Sequence, residues 1–65
     1  MEKPAREVLF EHTRLGAIMR VTAIDAATGT EAVIQGPASA STHELRRVAL
    51  AKLNYVLQKQ KASGG

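Results

Sequence analysis

The sequence predicts an α+β fold: a three-stranded antiparallel β-meander packed against one C-terminal α-helix, in the order βββα. Three observations predict it. Residues 41–61 read as one uninterrupted helix. Three apolar runs with strand character precede it, separated by turns that contain glycine. Pairing those runs through their turns places a single apolar face where the helix can cover it.

The chain holds 65 residues and no cysteine. A chain of this length forms one domain and buries only about 60% of the surface its unfolded form exposes. Disulfides and cysteine-based metal sites are excluded. With one Phe and one Tyr, the core must be aliphatic. No apolar run approaches the roughly 18 residues of a membrane span, and the N-terminus M-E-K-P-A-R-E carries no signal-peptide h-region. A cytoplasmic protein is therefore expected.

Residues 1–6 are polar and read as a flexible lead-in, residues 7–61 as the domain, and residues 62–65 as a flexible tail. The first strand run is Glu7 to Leu15, with Val, Phe and Thr. Gly16 ends it, and Ala17 to Ile24 is the second run. The turn D-A-A-T-G follows, with Asp25 as side-chain acceptor and Gly29 free to take a positive φ. Thr30 to Gln35 is the third run, ended by Gly36 and Pro37.

A two-residue turn at Leu15-Gly16 pairs Arg14 with Ala17, which sets Phe10 opposite Val21, His12 opposite Met19 and Glu11 opposite Arg20. A four-residue loop at 26–29 pairs Asp25 with Thr30, which sets Val21 opposite Ile34 and Ala23 opposite Ala32. Both registers agree on one face: Val8, Phe10, His12, Met19, Val21, Ala23, Ala32 and Ile34. That face belongs under the helix. A helix of about 18 residues is roughly 27 Å long and an eight-residue strand roughly 26 Å, so the two match.

In the helix, Ser41 and Glu44 have capping-box spacing. The interior lacks Gly and Pro and is rich in good helix formers. Val48, Leu45, Val56, Ala49, Leu53, Leu57 and Leu50 cover an arc of roughly 200°, with Tyr55 at its edge, where an ordinary surface helix needs a little over 100°. The other sheet face carries Leu9, Ile18, Ile24 and Val33 among polar residues. Both surfaces exceed what one chain covers. A homodimer is expected, with Leu9, Ile18, Ile24, Val33, Leu50 and Leu57 as candidate interface residues.

The net charge of +3 is unevenly spread. Residues 1–40 carry four basic and five acidic side chains, whereas residues 44–61 carry Arg46, Arg47, Lys52, Lys59 and Lys61 against Glu44 alone. A basic helix suits an anionic partner such as nucleic acid. It equally suits its own C-terminal dipole. Double-stranded RNA-binding domains end in a similar order of strands and helix, but Thr42, His43 and Glu44 stand where that family is basic. A base-stacking sheet needs exposed aromatics, and Phe10 points to the proposed core face.

His12 and His43 are the only imidazoles, and no H-x-x-x-H or H-E-x-x-H pattern contains them. Ser39, Ser41 and Thr42 lie near His43, but capping accounts for Ser41. G-P-A-S-A-S before the helix matches no phosphate-loop pattern. No catalytic residue, metal site or cofactor is expected.

The spacing G-x-x-x-x-V-x-A-I-D from Gly16 to Asp25, the T-G-T-E turn at Thr28 to Glu31, and G-P-A-S-A from Gly36 to Ala40 carry a more specific resemblance. With the helix E-L-R-R-V-A-L-A-K-L-N-Y-V-L, this stretch resembles a family of small uncharacterised alphaproteobacterial proteins, a domain of unknown function. The resemblance implies one intact domain and brings no activity, ligand or catalytic residue with it. The sequence therefore predicts a non-enzymatic, homodimeric protein-interaction module. The alternative is a nucleic-acid-binding module that uses the basic helix.

Overall fold

The computed structural model describes residues 7–64, with side chains through Lys61. The lead-in expected for residues 1–6 lies outside the described residues, as does Gly65. The elements are β1 (Val8–Leu15), β2 (Ile18–Asp25), β3 (Glu31–Pro37) and α1 (Thr42–Gly64). The strands form one antiparallel sheet in the order β1-β2-β3, with α1 packed on one face. The predicted βββα architecture is the one observed.

The β2–β3 register matches the sequence arithmetic, with Val21 opposite Ile34 and Ala23 opposite Ala32. The loop chemistry explains why. Asp25 is buried, and its Oδ2 accepts from Thr28 Oγ1 (2.7 Å) and Thr28 N (3.2 Å). Gly29 N donates to Asp25 O (2.8 Å) with Gly29 at φ 77°, a conformation that glycine adopts without steric cost.

The β1–β2 register differs from the expectation by two residues. The chain turns at Gly16-Ala17, so Leu15 pairs with Ile18, Phe10 with Ala23, His12 with Val21 and Thr13 with Arg20. Gly16 is the first central residue, at φ 63°, and Ala17 has a negative φ. This is the pattern of a type II′ hairpin turn, whose twist suits the flanking strands. A shift of two preserves the faces but dissolves the expected Glu11–Arg20 pair. The third strand also outlasts its expected end, since Gly36 and Pro37 both belong to β3.

Ser41 caps α1: its Oγ accepts from Glu44 N at 3.0 Å, a bond typically worth about 0.5–2 kcal/mol. The reciprocal half of the capping box is not formed, because Glu44 turns along the helix to Arg47 (2.6 Å). Leu45, Ala49 and Leu53, four residues apart, form the fully covered stripe. They pack with Val21, Ala23 and Ala32, while Val8, Phe10, Met19, Ile34, Ala40 and Leu57 close the margins. The alanines at 23, 32 and 49 keep this centre thin.

The helix runs antiparallel to β3. At one end Leu45 lies over Gly36, where a Cβ would stand 2.6 Å from Leu45 Cδ2. At the other end Thr30 Oγ1 meets Gln60 Oε1 at 3.2 Å. The contacts of α1 fall chiefly on β3 and β2, so the helix is set off-centre, away from β1.

Candidate interaction surfaces

The off-centre helix leaves three regions open: the inner side of β1, the helix flank beyond β3, and the whole outer sheet face. Over β1, Arg46 reaches across from the helix. Its guanidinium lies 5.4 Å from the Phe10 ring centroid, and its Nε donates to His12 Nε2 at 3.4 Å. Phe10 and His12 are half-buried beneath it. Arg46 is thereby engaged by the protein's own sheet.

The other basic residues diverge. Arg47 pairs with Glu44 on the solvent side. Lys52 donates from Nζ to Val33 O (2.8 Å) on β3. Lys59 sits 5.7 Å from the Tyr55 ring centroid on the same flank. At roughly 100° per residue, Arg46 and Lys61 lie toward β1, Arg47 away from the sheet, and Lys52 and Lys59 beyond β3. Arg46, Lys61 and Arg47 fall within about 100° of one another, but Lys61 stands roughly 22 Å along the axis from Arg46, and Arg20 lies on the outer face of the sheet. Arg14 Nε instead donates to Gly16 O at 3.0 Å.

On the outer face, the cross-strand rows are Leu9–Ile24–Glu31, Glu11–Thr22–Val33, Thr13–Arg20–Gln35 and Leu15–Ile18–Pro37. Apolar residues thus gather at the two ends of the strands, with polar rows between. Their exposure runs from 40% at Val33 to 48% at Leu9, with Leu15 and Ile18 between these. Ile24 is half-buried. Of the helix candidates, Leu50 and Leu57 are half-buried beside β1, and Leu57 belongs to the core margin. Val48 and Tyr55 are instead the exposed apolar helix residues, on the β3 flank. Sequence reasoning missed Leu15 as a surface residue, because placing the turn one residue early put it in the turn.

The two edges of the sheet are not equivalent. Ala38 N donates to Ala17 O and Asp25 N to Thr30 O, both at 2.8 Å. Even-numbered residues of β3 therefore turn their backbone groups to β2, and Glu31, Val33 and Gln35 turn theirs outward. Lys52 occupies the outward Val33 carbonyl, and Pro37 has no N–H to offer. On β1, Ala26 N donates to Glu7 O at 3.1 Å, which assigns the odd residues to β2. Val8, Phe10, His12 and Arg14 then face outward. Lysine side chains and prolines blunt a sheet edge; β1 contains neither.

Among the described residues, no group of three His, Cys, Asp or Glu is placed to hold a metal ion. His12 stands on β1 and His43 in the first turn of α1. No described helix is long and apolar enough to cross a membrane.

Residues 5–60 match the family model described as Domain of unknown function (DUF6898). Neither the curated proteins nor the solved structures contain a match to the chain.

Proposed function

The chain belongs to the DUF6898 family, and we propose that it works as a non-enzymatic protein-interaction module in the cytoplasm, self-associating as a homodimer. The observation that carries this reading is the uncovered sheet face. Leu9, Leu15, Ile18 and Val33 each keep at least two fifths of their surface in water. Burying an aliphatic side chain fully gains roughly 1.5–3 kcal/mol, so even partial cover of such residues across a two-fold axis contributes toward the cost of association.

The nucleic-acid alternative needs cations converging on one surface, and here they diverge. Arg46, Arg47 and Lys52 already have partners within the chain. Sedimentation equilibrium at micromolar concentration tests the reading. A mass of twice the 7.0 kDa chain is expected. A mass of one chain across the whole range would overturn it. A labelled duplex and a labelled single strand, titrated at two salt concentrations, test the alternative. Tight binding that weakens steeply with salt would favour phosphate recognition instead.

A further inference from the structure

We propose that the dimer forms by antiparallel pairing of β1 with β1 of a second copy, giving a continuous six-stranded sheet. This rests on the self-association proposed above and places its contact at the sheet edge, where Leu9 and Leu15 gain cover across the seam while Val33, on the far strand, stays in water. The choice of edge follows from the asymmetry of the sheet. The β3 edge is obstructed by Lys52 on Val33 O and by Pro37. The β1 edge presents the backbone N–H and C=O groups of Val8, Phe10, His12 and Arg14, along eight residues without Gly, Pro or Lys. Such an edge is a template for another strand.

The backbone also restricts the register. Only the even residues of β1 turn outward, so across a two-fold axis even must face even. The side chains of directly opposed residues lie on one face of the sheet, so both helices fall on the same side. Two registers then bring most of the strand into contact, with the axis on Glu11 or on His12. Centring the axis on Glu11 opposes two carboxylates, which is unfavourable. Centring it on Thr13 leaves much of the strand unpaired.

Centring it on His12 sets Phe10 opposite the partner's Arg14 and Leu9 opposite the partner's Leu15. The outer-face rows respond to this register. Leu9–Ile24 of one copy runs into Leu15–Ile18–Pro37 of the other, and the two-fold axis repeats the match. Two apolar clusters held apart by the Glu11–Thr22–Val33 and Thr13–Arg20–Gln35 rows within one chain become continuous rows across two. Phe10 gains a guanidinium from Arg14 beside the one it already receives from Arg46. No carboxylate faces a carboxylate.

The chain has no cysteine, so single introduced thiols read the register cleanly. In this register the two copies of residue 12 have Cα atoms about 5.5 Å apart, and residues 9 and 15 about 4.5 Å apart, both within disulfide reach. Under a mild oxidant, His12→Cys is expected to link to itself at least about tenfold faster than Leu9→Cys alone, because pairing raises the local thiol concentration. A mixture of Leu9→Cys and Leu15→Cys should link as a heterodimer, while each alone should not. Circular dichroism of each variant reports whether it folds, and the mixed pair keeps the test available if His12→Cys does not. Fast self-linking of Glu11→Cys or Thr13→Cys would overturn this register. A wild-type dimer without linking at 12 or between 9 and 15 would overturn edge pairing and leave self-association standing. A wild-type monomer at every concentration would overturn both.

Discussion

Leu53→Ala is expected to remove most of the domain's stability, by about 2–5 kcal/mol. Leu53 is fully buried, at the centre of the stripe Leu45–Ala49–Leu53. Its neighbours in the core include Ala23, Ala32 and Ala49, which have no side-chain length with which to fill the space left behind. A domain of 65 residues is stabilised by only about 3–10 kcal/mol in total. Alanine is the best helix former, so the loss cannot be ascribed to helix propensity. Urea unfolding followed by far-UV circular dichroism measures it. Val48→Ala is the control, since Val48 is 46% exposed, and it should change stability by less than about 1 kcal/mol. Equal effects at the two positions would mean that the helix meets the sheet through a different side.

Gly36→Val is expected to cost about 1–3 kcal/mol through overpacking. Gly36 lies on the inner side of β3, directly beneath the first turn of α1. A Cβ there would stand 2.6 Å from Leu45 Cδ2, with little else nearby. The obstruction is the end of a flexible side chain. Gly36→Ala should therefore be mild: Leu45 shifts its rotamer at a cost of roughly 0.5–1.5 kcal/mol, and the stiffer backbone of the unfolded chain offsets part of it. Valine adds two methyl groups that Leu45 cannot clear without lifting the helix start from β3. The penalty should shrink in a Leu45→Ala background, and a double-mutant cycle measures that coupling. Additive penalties would show that the two residues do not meet.

The β2–β3 hairpin was legible because Asp25 and Gly29 each have a chemical role that admits one loop length. The β1–β2 hairpin has only Gly16, and glycine serves as well in either central position of a tight turn. The two placements differ by one residue, which shifts the register by two and so moves every cross-strand partner yet keeps every face. The core face was thus read correctly, while the Glu11–Arg20 pair was not.

The helix shows a different limit. Its apolar arc is wider than the sheet's reach, and hydropathy alone placed Val48 inside that arc. The contact is set instead by close approach. Ala49 packs among Ala23 and Ala32, and Gly36 admits Leu45. Small residues, silent in a hydropathy pattern, draw the helix over β2 and β3 and turn Val48 out. The same offset sends Arg46 over Phe10 and His12 and Lys52 to the β3 edge. Five charges that look concentrated along the sequence are therefore dispersed in space.

Amide hydrogen exchange along β1 reads the self-pairing of this strand directly. In a single chain the amides of Leu9, Glu11 and Thr13 are bonded to β2, and those of Phe10 and His12 point outward from the edge. At high concentration, Phe10 and His12 should exchange as slowly as their odd-numbered neighbours. On dilution below the dissociation constant their protection should vanish while that of Leu9 and Glu11 persists. Rapid exchange at Phe10 and His12 at every concentration, beside protected Leu9 and Glu11, would contradict pairing through this edge.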